Sequence, residues 1–339
     1  MTCIDAIRTL SVLLPLAACQ LGGSATEPPP REHTRSAHLF GTRFELRLAG
    51  PDAAALDAAA SAALAEGERL EALVSGWVEG SGLMRFNDSA RVAGRFEVTP
   101  ELARLVEQAQ SWCHASGGAV DPTVGALLEL YGYYDGGGAA PLPEELATTL
   151  ERVGCDALRV EGHALVTTVD GVRLDLGAVA KGFTVDRMAA LLRAAGVEDA
   201  VISAGGSSVL AFGGEPGGVG WPLVVDPGAG PEIWRLRDEA VGISGQLSEP
   251  VFVDGRLVSH LIDPRSGLPV DHDTLQVAVR AANATDADLA STALLVLGTE
   301  AAAAWLADPA ACPSILAVTL TDVARADRTA REIARLRAR

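Results

Sequence analysis

The stretch Leu174 to Gly182, LDLGAVAKG, governs how the rest of the chain is read: it joins an acid, a forced turn, a helix start and the only lysine in 339 residues. All the other basic positions are Arg. A compact ammonium on a flexible stem does what a planar guanidinium fork does not, so a lone lysine points to a task of its own. Residues 172–176 (VRLDL) alternate as a strand, Gly177 breaks it, and from Val179 the spacing of Phe183, Met188, Leu191 and Leu192 is helical. Asp175 is therefore expected at a strand end and Lys181 in the first turn of a helix. The free N–H groups of that turn, at the positive end of the helix dipole, suit an anion and above all a phosphate. The same residues also fit an ordinary strand-turn-helix in which Asp175 and Lys181 pair with each other.

The length allows one large or two moderate domains. With 48% apolar but only 4% aromatic residues, alanine and the aliphatics must do the packing. A net charge of −17 argues against nucleic acid or an anionic membrane surface as a broad partner, so a phosphate-bearing ligand needs a local cation. Residues 1–18 read as a secretory signal with Arg8 ahead of an apolar run too short to span a bilayer permanently. LAAC at 16–19 resembles a lipobox, which makes Cys19 the expected lipidation site. Residues 19–36, Pro-rich and polar, are expected to be a disordered tether. Downstream, Cys113, Cys155 and Cys312 are odd in number, widely spaced and without a CxxC. One disulfide plus a thiol, or three buried thiols, are both open, and the spacing favours the thiols.

The folded part is expected over 37–320, followed by an Arg-rich tail at 321–339. The pattern predicts a strand at 37–49 and helices at 51–75, 100–116 and 143–152, then strands at 157–161, 164–169 and 172–176. After the organising motif come short strands at 199–213 around a glycine turn, and at 221–226, 232–237, 240–244, 250–253, 257–262 and 274–281. Helices at 284–297 and 299–307 and a strand near 314–320 close the domain. Helices dominate the first half and strands the second, without regular βαβ alternation, so the class is α+β with largely antiparallel sheets covered by helices.

Polar residues at special backbone positions concentrate in GGAVDPTVG (117–125), LDLGAVAKG (174–182), VSHLIDPRSGLPV (258–270) and DADLASTALLVLG (286–298). On a helix Asp288 and Thr292 stack on one face with Ser291 alongside. A carboxylate and hydroxyls without His or Cys form a hard-oxygen set suited to Mg²⁺ rather than zinc. A cap and a surface residue at the same spacing would look alike in sequence.

In their order, these four segments resemble the ApbE family, the bacterial FAD:protein FMN transferases, over about residues 38 to 320. The resemblance implies an ApbE-like (T-fold-like) domain, FAD as substrate and one Mg²⁺ at its pyrophosphate. It places Phe40, Trp77, Ala119, Val120, Asp121, Asp175, Lys181 and Ile262 at the cofactor. It assigns the backbone carbonyl of Ala178 and the side chains of Asp288, Ser291 and Thr292 to the metal. His260 matches the histidine beside the reacting phosphate and is the expected base for an incoming hydroxyl, with Asp263 orienting its loop. The chain departs from the family pattern at Phe40, where Met is usual, at Ser207 and Gln246, where acids are usual, and at Ser291, where some members carry a second Asp.

The implied activity is Mg²⁺-dependent transfer of FMN from FAD to a Ser/Thr hydroxyl of an acceptor flavoprotein, releasing AMP. Lipidation would anchor the domain to the extracytoplasmic side of a bacterial membrane, where such acceptors reside. Two alternatives share the site: an FAD pyrophosphatase, with water as acceptor, and a non-catalytic FAD-binding lipoprotein. A serine hydrolase is disfavoured, since GISG at 242–245 lacks the second glycine of GxSxG.

Overall fold

The computed structural model describes residues 31–226, 231–307 and 314–322. The chain opens with the hairpin β1 (Arg31–Leu39) and β2 (Thr42–Gly50), then α1 (Ala53–Val74), α2 (Gly82–Ser89), β3 (Arg95–Glu97) and α3 (Pro100–Ala115). Next come α4 (Gly125–Leu130), β4 (Gly137–Gly138), α5 (Pro143–Leu150), β5 (Leu158–Glu161), β6 (Ala164–Thr167) and α6 (Ala180–Ala194). Strands β7 (Asp199–Ala204), β8 (Ser208–Phe212), β9 (Trp221–Val225), β10 (Glu232–Leu236) and β11 (Glu239–Gly245) follow. The short β12 (Val251–Val253), β13 (Arg256–Val258), β14 (Ile262–Asp263) and β15 (Leu268–Pro269) precede β16 (Thr274–Ala281), α7 (Ala284–Leu306) and β17 (Ile315–Asp322).

Seven strands form the main sheet in the order β1-β2-β7-β8-β11-β16-β17, and every pairing is antiparallel. Helices α1, α6 and α7 cover one face, where Phe44, Leu46, Leu48, Ile202 and Leu210 meet Ala60, Met188 and Ala287. Trp221 and Leu236 of the β9–β10 hairpin cover part of the other face, against Ala49, Val209, Ala211 and Val241. The long excursion between β2 and β7 builds a second hydrophobic cluster with α2, α3 and the strands β5 and β6, continuous with the C-terminal side of α7. Among the described residues α7 alone is long and apolar enough to cross a membrane, yet it is the core helix, packed on β11, β16 and α6.

The class is the one expected from sequence, α+β with antiparallel sheets, and several local expectations need correction. The strand predicted at 37–49 is a hairpin, reversed at Phe40 and Gly41 with φ of 51° and 70°. Its first strand starts at Arg31, so residues 31–36, read as tether, belong to the sheet. Residues 172–176 alternate in burial but join no sheet beyond one bridge between Val124 and Arg173. Their backbone is satisfied instead by Asn87, which bonds the N–H and C=O of Leu174 at 2.8 and 2.9 Å, and by the Pro122 carbonyl, which accepts from Asp175 N at 2.8 Å. The run at 257–262 is broken at residues 259–261, just where His260 lies. Cys113 and Cys155 form a disulfide, against the favoured reading of free thiols. Cys19, Cys312, the signal segment 1–18 and the tail after 322 lie outside the described residues.

Candidate active site

The centre of the site is assembled by three close approaches of backbone. A Cβ on Gly182 would lie 2.3 Å from the Ala284 carbonyl oxygen, and one on Gly242 would lie 2.3 Å from backbone atoms of Ala287. Only glycine therefore lets α6 and β11 touch the first turns of α7. The third approach is a cap: the Asp186 carboxylate on α6 accepts the N–H groups of Ala284 and Thr285, both at 2.8 Å, and Asn283 Oδ1 accepts from Asp286 N. These contacts fix the start of α7 and with it the direction of Asp288.

Asp288 is buried, and among the described residues both hydrogen bonds of its carboxylate fall on Oδ2, from Gly182 N at 2.8 Å and Ser208 Oγ at 2.6 Å. That leaves Oδ1 available to a ligand. One turn on, Ser291 and Thr292 share the hydroxyl of Ser244 on β11, at 2.8 and 3.1 Å. Burial pushes the Asp288 carboxyl up to about 7, opposed by Ser208, the nearby Lys181 ammonium and Gly182 N–H. A buried carboxylate so costly to ionise is what an added cation would relieve. The Gly182 N–H that a helical turn would direct at the Ala178 carbonyl donates to Asp288 instead, and no hydrogen bond to that carbonyl is present among the described residues. The oxygens of Asp288, Ser291, Thr292 and Ala178 thus fit a hard cation such as Mg²⁺.

Lys181 is in the first turn of α6, as expected from sequence. It does not pair with Asp175, whose Oδ1 accepts from Gly177 N at 2.8 Å and whose Oδ2 accepts from Tyr134 Oη at 3.0 Å. The ammonium acts instead on Asp288 and His260, lowering the pKa of both. His260 is held below its ordinary value chiefly by burial, with Lys181 adding to this and Glu249 opposing it. Its Nδ1 is buried without a partner among the described residues. Asp263 forms a bidentate pair with Arg265 at 2.8 Å for each bond and closes the turn after His260.

Other expected residues take different positions. Ala119, Val120 and Ile262 are buried in hydrophobic clusters, and the N–H groups of Ala119 and Val120 donate to Ser116. Asp121 is buried, accepts from Thr123 N and Oγ1 at 2.7 and 2.6 Å, and lines a cavity of about 210 Å³ with Gly118, Cys155 and Arg265. Phe40 sits in the β1–β2 turn, its N–H donating to Glu71 Oε1 at 2.5 Å, and packs between the two large clusters. Trp77 is 69% exposed, its ring meeting the edge of Tyr134 at 5.4 Å. Ser208, Ser244, Gly182, Asp186, Tyr133 and Tyr134 were not singled out as site residues from sequence. Of these, Ser208 carries a usable signal, a polar residue two positions after the Gly205–Gly206 turn that opens an otherwise apolar strand.

An α+β domain that brings together a hard-oxygen cluster, a lysine at a helix N-terminus and a buried histidine has the chemistry to hold a phosphate-bearing ligand. The sequence model of the ApbE family matches residues 40–316, and the chain belongs to that family. It is 31% identical over 311 residues to a protein of Treponema pallidum (strain Nichols) named FAD:protein FMN transferase, covering 85% of each chain. A Salmonella typhimurium protein of the same name is 28% identical over 300 residues, again with 85% of each covered. Among solved structures, the apo flavinyl transferase ApbE of Pseudomonas stutzeri superposes with a TM-score of 0.74 at 26% identity, covering 82% of this chain and 88% of that one. The apbe protein of Thermotoga maritima gives 0.74 at 26% identity, covering 86% and 97%.

Proposed function

We propose that this chain transfers FMN from FAD to a Ser or Thr hydroxyl of an acceptor flavoprotein and releases AMP. The observation that carries the reading is that Lys181, in the first turn of α6, lies near enough to both Asp288 on α7 and His260 for its charge to lower the pKa of each. Family membership and the names of the relatives support it.

In the reaction, the acceptor hydroxyl oxygen forms a bond to the FMN phosphorus of FAD. The pyrophosphate P–O bond to the AMP half breaks, and AMP leaves with its electron pair. His260, neutral at physiological pH because burial depresses its pKa, accepts the hydroxyl proton, a role worth about 10²–10⁴-fold. The Lys181 ammonium, in the first turn of α6, holds phosphate oxygens, since the N–H groups of Ala180 and Gly182 beside it are committed to the Leu176 carbonyl and to Asp288. Asp288, Ser291, Thr292 and the Ala178 carbonyl would hold Mg²⁺, which neutralises charge on the pyrophosphate when bound. Asp175 and Trp77 hold a ring or ribose end of FAD, with Phe40 and the backbone of Ala119, Val120, Asp121 and Ile262 completing the cofactor surface.

On this reading the domain works outside the cytoplasm, lipid-anchored through Cys19 to a bacterial membrane. The Cys113–Cys155 disulfide supports an oxidising compartment. The test is intact-mass spectrometry of an acceptor domain carrying a Ser/Thr flavinylation motif, after incubation with the chain from Gln20 onward, FAD and Mg²⁺. A mass gain equal to FMN that EDTA abolishes is expected. AMP and free FMN without a mass gain would make the protein a pyrophosphatase, and intact FAD would make it a flavin-binding protein.

A further inference from the structure

The turn between α4 and β4 carries adjacent tyrosines that lie outside all four motif segments, and their hydroxyls reach two different parts of the site. Tyr133 Oη donates to the carbonyl of Ser259, the residue before His260. Tyr134 Oη donates to Asp175 Oδ2 at 3.0 Å. Tyr133 is buried among Leu127, Tyr131, Val253 and Ile262. The Tyr134 ring lies edge-on to Trp77, and the Arg173 guanidinium sits over it at 5.2 Å. Burial and the Asp175 charge both push the Tyr134 phenol up, so it stays a donor.

The turn that carries them is rigid. Gly132 and Gly136 bracket it in the left-handed region at φ of 70° and 86°, and Gly137 N donates to the Gly132 carbonyl at 2.8 Å. Gly137 and Gly138 then pair with Phe252 and Val253, and a Cβ on Gly137 would lie 2.1 Å from the Phe252 carbonyl oxygen. The turn is therefore locked to the β12–β13 hairpin that runs into Ser259 and His260.

We propose that Tyr133 and Tyr134 form a two-ended brace: Tyr134 positions Asp175 and Trp77 where a flat heteroaromatic ring of the dinucleotide binds, and Tyr133 positions the Ser259–His260 backbone at the reacting phosphate. The proposal rests on the flavin-transfer reading above. Because both hydroxyls project from one rigid turn, the two ends of the site keep a fixed separation, which a long two-headed substrate requires. Either end of FAD, adenine or isoalloxazine, has the ring chemistry that Trp77, Tyr134 and Asp175 would recognise.

The test compares Tyr133→Phe and Tyr134→Phe in the full chain; each keeps its ring and loses one donor, and thermal unfolding confirms folding. Dissociation constants for FAD, FMN and AMP are measured by calorimetry, and kcat and KM by acceptor mass gain. Tyr134→Phe is expected to raise Kd and KM for FAD about three- to tenfold, more than it lowers kcat. The Kd of either FMN or AMP, but not both, should rise with it and identify the ring at Trp77. Tyr133→Phe is expected to lower kcat about tenfold and shift the acid limb of the pH profile, with Kd for FAD unchanged. Wild-type constants in both variants, or the same loss of Kd and kcat in both, would overturn the brace. Asp175→Asn and Trp77→Ala are the reference: if these too bind FAD as wild type does, the cofactor assignment fails and takes the proposal with it.

Discussion

Replacing Asp288 by Asn in the cation-free protein is expected to raise stability at pH 8 while removing the charge the proposed chemistry needs. The amide oxygen can accept from Gly182 N and Ser208 Oγ as Oδ2 does, so both hydrogen bonds survive. What disappears is the charge. The carboxyl moves from 3.8 to about 7 on folding, so between those values the unfolded chain has lost a proton that the folded chain keeps. Stability contributed by this group therefore falls as pH rises from about 4 to about 7 and is flat above. Three pKa units at about 1.4 kcal/mol each put the full loss near 4 kcal/mol at pH 8, against about 1.5 kcal/mol at pH 5. Asn avoids this loss, so its advantage should grow by roughly 2–3 kcal/mol between the two pH values. Urea unfolding of both proteins in EDTA at pH 5 and pH 8, with equal m-values, measures it. Added Mg²⁺ should stabilise the wild type at pH 8 and leave Asp288→Asn unmoved. A variant less stable than wild type at pH 8 without cation, or a gap that does not change with pH, would refute the account of Asp288 as a strained, ligand-seeking carboxylate.

The other predictions address the remaining groups. His260→Ala should keep FAD affinity and slow transfer by about 10²–10⁴-fold, measured by acceptor mass gain with time. In the wild type, burial holds this imidazole below its ordinary 6.5, so the acid limb of the kcat/KM profile, which reports the free enzyme, should lie below pH 6.5, and a limb above that would remove His260 as the base. Lys181→Ala should weaken FAD binding about tenfold or more by calorimetry, and Lys181→Arg should not restore it, since the planar fork differs from a point charge. Reducing the Cys113–Cys155 disulfide, whose cysteines are 42 residues apart, should lower stability by about 2–4 kcal/mol in urea titrations with and without dithiothreitol.

What the sequence showed and what it hid follow from where each signal is stored. The helix start at Lys181 was legible because turn and apolar period are local, and so was the break at Gly298, which the structure places at φ 72° and ψ 170° between two helical stretches. The β1–β2 reversal was hidden because a two-residue turn at Phe40 and Gly41 leaves the alternating pattern nearly intact, and Phe is rarely asked to adopt φ 51°. The VRLDL run alternates in burial like a strand, yet its hydrogen bonds go to an Asn side chain and a loop carbonyl, which periodicity does not record. The reach of Tyr133 and Tyr134, the pairing of Cys113 with Cys155 and the approach of Ser244 to Ser291 are products of tertiary packing between segments far apart in the chain.

The main sheet is laid down in chain order, since β1, β2, β7, β8, β11, β16 and β17 follow one another across it as they do along the sequence. A polypeptide emerging N-terminus first can add each strand to an edge that already exists, so no early strand must wait for a late one to give it a first neighbour. The helix bearing Asp288, Ser291 and Thr292 arrives after six of those seven strands. A chain stalled before residue 284 can therefore hold most of a sheet and none of the side chains of the cation cluster. The side chains that would bind a cation join the fold as one late event, with α7, rather than by gradual improvement.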